Sequence, residues 1–269
     1  MSAQTVCAAQ FLREQLAMLY VATSFWLTVA VLLAWGVHYL WSTVAKPKAV
    51  NAVLLPGTLV AQLGHIVGLL ITGATVNNTS LMRNDDKGGP ETDPAPQPRL
   101  PVIGPVIVAL LPMLALGFVL YLVIAELGMP VVQHVNTLQA GQITRELPGT
   151  LPAFWDQLRA LVTLAEGTLA AVCNGEGGRV RMVVFVYLMI CLTVRMAPLP
   201  GNVRGHIGAI VGLGIAGWLA GSLSPKLPEM ITQTWPLLTL IIGWLLLLLM
   251  ISLVVRGAIG SIRMIIQTN

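Results

Sequence analysis

The chain alternates between long apolar runs and shorter polar joints. Six runs stand out, at about 16–41, 52–76, 102–127, 182–197, 206–223 and 235–255. Crossing the hydrocarbon core of a bilayer as a helix takes about 20 apolar residues. Several of these runs reach that length, and the fourth is short. The pattern predicts an all-α polytopic membrane protein with about six transmembrane helices. The first run is too long for a cleavable signal and lacks a cleavage site, so it is expected to stay as a signal anchor.

Two joints are long. Residues 77–101 are rich in turn formers, with Asn84-Asp85-Asp86-Lys87-Gly88-Gly89-Pro90 followed by Pro94, Pro96 and Pro98. That is loop chemistry. Residues 128–181 hide a helical pattern. Asp156, Arg159, Thr163 and Glu166 fall on one side, and Phe154, Leu158, Leu161, Val162 and Leu169 on the other. This predicts one amphipathic helix, lying at the membrane surface or packed on the protein's own spans. Asn174-Gly175-Glu176-Gly177-Gly178 then forms a turn.

Composition agrees with the pattern. Hydrophobic residues make up 56% of the chain and charged residues 10%, where soluble domains carry about 25% charged. The net charge of +4 comes from scattered basic residues, with no basic stripe, which excludes nucleic acid as a natural partner. These residues read as loop charges that set topology, and their distribution favours both termini in the cytoplasm. Cys7, Cys173 and Cys191 lack metal-type spacing, and Cys191 reads as a small packing residue.

Glycines recur at helix-packing intervals. Gly208 with Gly212, Gly217 with Gly221, and Gly64 with Gly68 each form a small-xxx-small pair that lets helices approach closely. They serve packing within the chain or an oligomer interface.

One segment carries recognisable chemistry. In the second run, Pro56-Gly57 precedes Ala61-Gln62-Leu63-Gly64-His65, and Leu70-Ile71-Thr72-Gly73-Ala74 follows. Gly104-Pro105 opens the third run. Arg195-Met196-Ala197-Pro198-Leu199-Pro200-Gly201-Asn202-Val203-Arg204-Gly205 links the fourth to the fifth. In order and spacing, these three segments resemble the site-2 protease family of intramembrane zinc metalloproteases. The resemblance covers about residues 54–205. It implies a site-2-protease-like core at 51–205 with two long loops, an N-terminal signal-anchor helix at 1–50, and a glycine-rich helix pair at 206–269.

The resemblance also assigns roles. A working zinc helix of the family carries His-Glu-x-x-His, two ligands on one helix face with a glutamate as general base. Here Ala61 stands at the first ligand position, Gln62 at the base, His65 at the second ligand and Asn202 at the third. A methyl group cannot bind zinc, and a neutral amide is a poor substitute for a carboxylate on a dication. An amide cannot take a proton from water near neutral pH. The expectation is a pseudo-protease with no catalytic residues, no metal and no cofactor.

Gln62 and His65 share a helix face. With Asn202, and with His206 as a replacement ligand, they are candidates for a binding cleft; the alternative is a buried hydrogen-bonded cluster that holds the spans in register. The leading functional expectation is a non-catalytic binding or assembly subunit in the lipid bilayer, partnered by another membrane protein or a larger complex. Two alternatives stand beside it: an active intramembrane metalloprotease with an atypical metal site, and a transporter or channel subunit. Short loops and the lack of an organelle-targeting segment favour the bacterial inner membrane.

Overall fold

The computed structural model describes residues 3–73, 79–80, 91–92, 104–137, 143, 145, 147–174, 178–197, 203–224 and 226–267. Among them the chain forms nine helices: α1 (Ala3–Val44), α2 (Pro47–Val53), α3 (Leu55–Ile71), α4 (Gly104–Leu127), α5 (Met129–Thr137), α6 (Leu151–Asn174), α7 (Arg179–Val194), α8 (Val203–Leu223) and α9 (Lys226–Gln267). Within the long loop, β1 (Thr79–Ser80) and β2 (Glu91–Thr92) form a two-residue antiparallel ladder, Thr79 opposite Thr92.

Among the described residues, three helices are long and apolar enough to cross a membrane: Leu16–Val44, Val106–Leu127 and Lys226–Ile262. The protein is therefore an all-helical integral membrane protein. The other three expected spans coincide with shorter helices. α3 has 17 residues, which at about 1.5 Å each reach only about 25 Å, short of a hydrocarbon core of about 30 Å. α7 has 16 residues, and the apolar part of α8 is Ile210–Leu223.

Local chemistry sets the boundaries. Lys46 and then Pro47 end α1 and open α2, because proline fits the first turn of a helix and not its interior. α3 likewise takes Pro56 in its first turn. It closes through Thr72 to Gly73, whose φ of 74° is the left-handed conformation that glycine adopts without strain.

α4 packs against α3, α7, α8 and α5, while α1 packs against α9, α8 and α2. The stretches 1–50, 51–205 and 206–269 thus interleave in one bundle. Its core holds Trp26, Leu116, Leu120, Phe185, Met189, Trp235, Trp244 and Leu245. Phe185 meets Trp244 edge to face, with ring centroids 6.2 Å apart. Lipid tails are as apolar as leucine, so such helices associate by close fit rather than by escape from water.

Small residues make that fit. A Cβ on Gly64 would lie 2.8 Å from Pro112 Cα and 2.9 Å from the Leu111 carbonyl oxygen, so α3 rides directly on the α4 backbone. Gly68 continues the contact at Val108 Cα. Gly217 and Gly221 both receive the Tyr20 ring of α1, and Gly212 lies against Val106 of α4. Gly208 departs from the expected pattern. It is exposed, and among the described residues nothing lies within 4 Å of the place a Cβ would take. The α1–α8 pairing leaves an apolar groove of about 510 Å³ lined by Tyr20, Phe25, Leu147, Ile215 and Trp218 among others.

α6 forms where the amphipathic pattern placed a helix. Its buried face is Gln157, Leu161, Leu164, Ala165, Thr168 and Ala171, packed on α9, where Leu164 fills the space beside Gly243. Of the expected apolar side only Leu161 is buried; Phe154, Leu158, Val162 and Leu169 are exposed. The buried stripe lies beside the apolar one because the hole at Gly243 accepts one leucine flanked by small side chains.

Candidate functional site

α3 presents three faces. At about 100° per residue, Gly57, Ala61, Gly64 and Gly68 form one stripe. Thr58, Gln62, His65, Leu69 and Thr72 form a second. Leu59, Leu63, Val67 and Leu70 form a third, and all four are exposed, as side chains facing lipid are. The small stripe meets α7 at Gly57 and α4 at Gly64 and Gly68. Ala61, partly buried against the core, belongs to that packing stripe. The first expected ligand position is thus a packing position.

The second stripe is mostly polar and largely buried, and its two threonines are satisfied from within. The Thr58 hydroxyl donates to the Leu54 carbonyl at 3.0 Å, and the Thr72 hydroxyl to the Gly68 carbonyl at 2.9 Å. Gln62 differs. It is 5% exposed, and among the described residues its Oε1 accepts no hydrogen bond. His65 is half-buried one turn further on the same side.

The donor set does not fit zinc. Ala61 offers a methyl group and Gln62 a neutral amide, which leaves one imidazole. Among the described residues no group of three or more His, Cys, Asp or Glu side chains is placed to hold a metal ion. Asn202 lies outside the described residues. His206 falls in α8, with its side chain outside them. α8 packs mainly on α1 and α4, whereas α3 packs on α4 and α7. The described structure therefore brings Gln62 and His65 together and leaves the remaining two cleft candidates unplaced.

A second polar constellation sits where α1, α2, α3, α7 and α9 meet. Arg195 caps the C-terminal end of α7. Its Nη2 donates to Asn51 Oδ1 on α2 at 2.7 Å. Its Nε is buried and has no hydrogen-bond partner among the described residues. The side-chain stem crosses α3 at Gly57, where a Cβ would approach Arg195 Cγ to 3.0 Å and would fall on the Cys191 carbonyl. Tyr187 and Cys191 both donate to the Val53 carbonyl, at 3.0 and 3.3 Å. They satisfy an acceptor that the end of α2 leaves open. Half-buried His38 of α1 lies within the electrostatic reach of Arg195. Trp41 donates to Ser252 of α9 at 2.9 Å and ties the same end of the bundle together.

Sequence reasoning placed Arg195 at a span end and assigned it no role. A signal was present: residues 15–84, 177–228 and 230–269 contain no aspartate or glutamate. An arginine folded among those segments finds no internal counter-ion on them.

The fold defines the class, an all-helical integral membrane protein. Comparison with known proteins finds no family model, no curated protein and no solved structure that matches this chain.

Proposed function

We propose that this chain is a non-catalytic, degenerate relative of the site-2 proteases that acts as a binding or assembly subunit for a transmembrane partner. In this reading α3, α7 and α8 join the three long helices as membrane crossings. The short α3 is accommodated by local thinning of the bilayer. The bacterial inner membrane is the proposed setting.

The observation that carries the proposal is the state of α3. At the positions where the resemblance puts metal chemistry, one residue packs as a methyl group and the next buries an amide. This supports a reading in which the helix singled out by the resemblance lacks the reactive groups. The exposed stripe of Leu59, Leu63, Val67 and Leu70 is the surface offered to the partner's helix.

Two experiments test this. Photo-cross-linking in native membranes from position 63 is expected to give a discrete membrane-protein adduct that is absent from position 155 on α6. Lipid adducts alone from position 63 would overturn the binding role. The lineage is tested by Ala61→His, Gln62→Glu and Asn202→Asp together. If the core has the protease arrangement, the triple variant takes up about one zinc per chain from a three-ligand site. Failure of the folded variant to bind zinc above the wild-type level would remove the resemblance.

A further inference from the structure

We infer that Arg195 anchors the phosphate of an anionic phospholipid headgroup at the α1–α2–α7 end of the bundle. The argument starts from charge. A guanidinium held away from water requires a paired anion or a full set of acceptors, because an unpaired buried charge is costly. Arg195 has one described acceptor, the neutral Asn51 Oδ1, and a buried Nε with none. α2, α3, α7 and α8 carry no acidic residue, α1 none after Glu14, and α9 none after Glu229. Among the described residues, these stretches therefore offer the guanidinium no carboxylate.

The neighbourhood points to a lipid. Trp35, Tyr39 and Trp41 of α1 and Tyr187 of α7 are all exposed at this end. Tryptophan and tyrosine in that setting mark the headgroup level of a bilayer. Lys46 and Lys48, at the start of α2, are also exposed and add positive charge beside the same helix that supplies Asn51. A planar guanidinium presents its N–H donors in a fork that matches phosphate oxygens. Clustered basic residues at a span end attract anionic headgroups. The Arg195 stem lies along Gly57, so its apolar part is packed while the head is directed to this end.

The test uses the full chain in a neutral detergent, titrated separately with short-chain phosphatidylglycerol, short-chain phosphatidylcholine and inorganic phosphate, with bound species counted by native mass spectrometry. Phosphatidylglycerol is expected to bind about tenfold more tightly than phosphatidylcholine, whose phosphate is offset by its own choline cation and so leaves the basic end of the bundle without a net anion. Arg195→Gln is expected to abolish the preference, and Arg195→Lys to keep part of it. Asn51→Asp supplies an internal carboxylate beside the guanidinium. It is expected to erase the preference without unfolding the protein, which keeps the test sharp if Arg195→Gln fails to fold. Equal binding of the two lipids would overturn the proposal. So would a preference unchanged in Arg195→Gln or in Asn51→Asp. Saturation by inorganic phosphate that blocks phosphatidylglycerol at equal concentration would assign the site to a free anion instead and overturn the lipid anchor.

Discussion

The middle of α3 and the Arg195 junction are both polar regions in an apolar bundle, and they handle polarity in opposite ways. On α3 the hydroxyls of Thr58 and Thr72 close onto carbonyls of their own helix. That solution needs no neighbour and leaves the helix free to pack on its glycines. At the junction, Asn51, Tyr187, Cys191 and Arg195 reach between α2 and α7. That solution ties elements together and leaves a charge over. Self-satisfied polar groups maintain a helix inside a membrane, whereas groups that need distant partners fix a tertiary arrangement and can recruit a ligand.

The comparison breaks most visibly at Gly57, where the two regions touch. Gly57→Leu would drive a side chain into the Cys191 carbonyl and the Arg195 stem. Overpacking ordinarily costs about 1–3 kcal/mol, and a clash with backbone places this variant at or above the top of that range. Thermal unfolding in mild detergent is expected to show a large fall in midpoint or no cooperative transition.

Asn51→Ala probes the junction alone. It removes the described acceptor of Arg195, and leaving such a donor unpaired costs about 1–3 kcal/mol. An unchanged midpoint would mean that the Arg195–Asn51 bond contributes nothing. The two glycines that the sequence treated alike should separate next. Gly208→Ala is expected to raise stability by up to about 1 kcal/mol through helix propensity, since among the described residues nothing crowds that position. Gly64→Ala is expected to lower it, because α4 backbone is in the way.

The smallest effect is expected at Gln62→Leu. Replacing a buried amide whose oxygen is unsatisfied by an apolar side chain of similar size is close to neutral or mildly stabilising. A loss of more than about 1 kcal/mol would show that the amide is engaged, and the contrast between α3 and the junction would weaken accordingly.

Much of the fold was legible because its signals are local. The runs that became the long apolar parts of α1, α4 and α9 exceed the membrane thickness by composition alone, and Lys46-Pro47 and Thr72-Gly73 mark helix ends through rules that act within one turn. α6 was legible as a helix but not in its orientation. Its buried face mixes Gln157, Thr168 and alanines with two leucines, and only the gap at Gly243 on α9 makes that face the complementary one. The glycine spacings identified packing surfaces at Gly64, Gly68, Gly212, Gly217 and Gly221, and misread Gly208, because spacing says nothing of what stands opposite. At the candidate site, Gln62 and His65 were placed on one face by helix periodicity; Asn202 and the His206 side chain lie outside the described residues.

The sequence by itself determined that this is a helical membrane protein, where its three longest apolar helices run, and that the second apolar run carries Ala61, Gln62 and a single histidine, His65. Those properties follow from hydropathy, backbone geometry and residue type, which act over a few residues. The tertiary structure decided which small residues are contacts, which face of α6 is inside, and that Arg195 meets the neutral Asn51 of α2. Those depend on groups far apart in the chain, as Asn51 and Arg195 are at 144 positions, and a local pattern carries no information about which distant elements will meet.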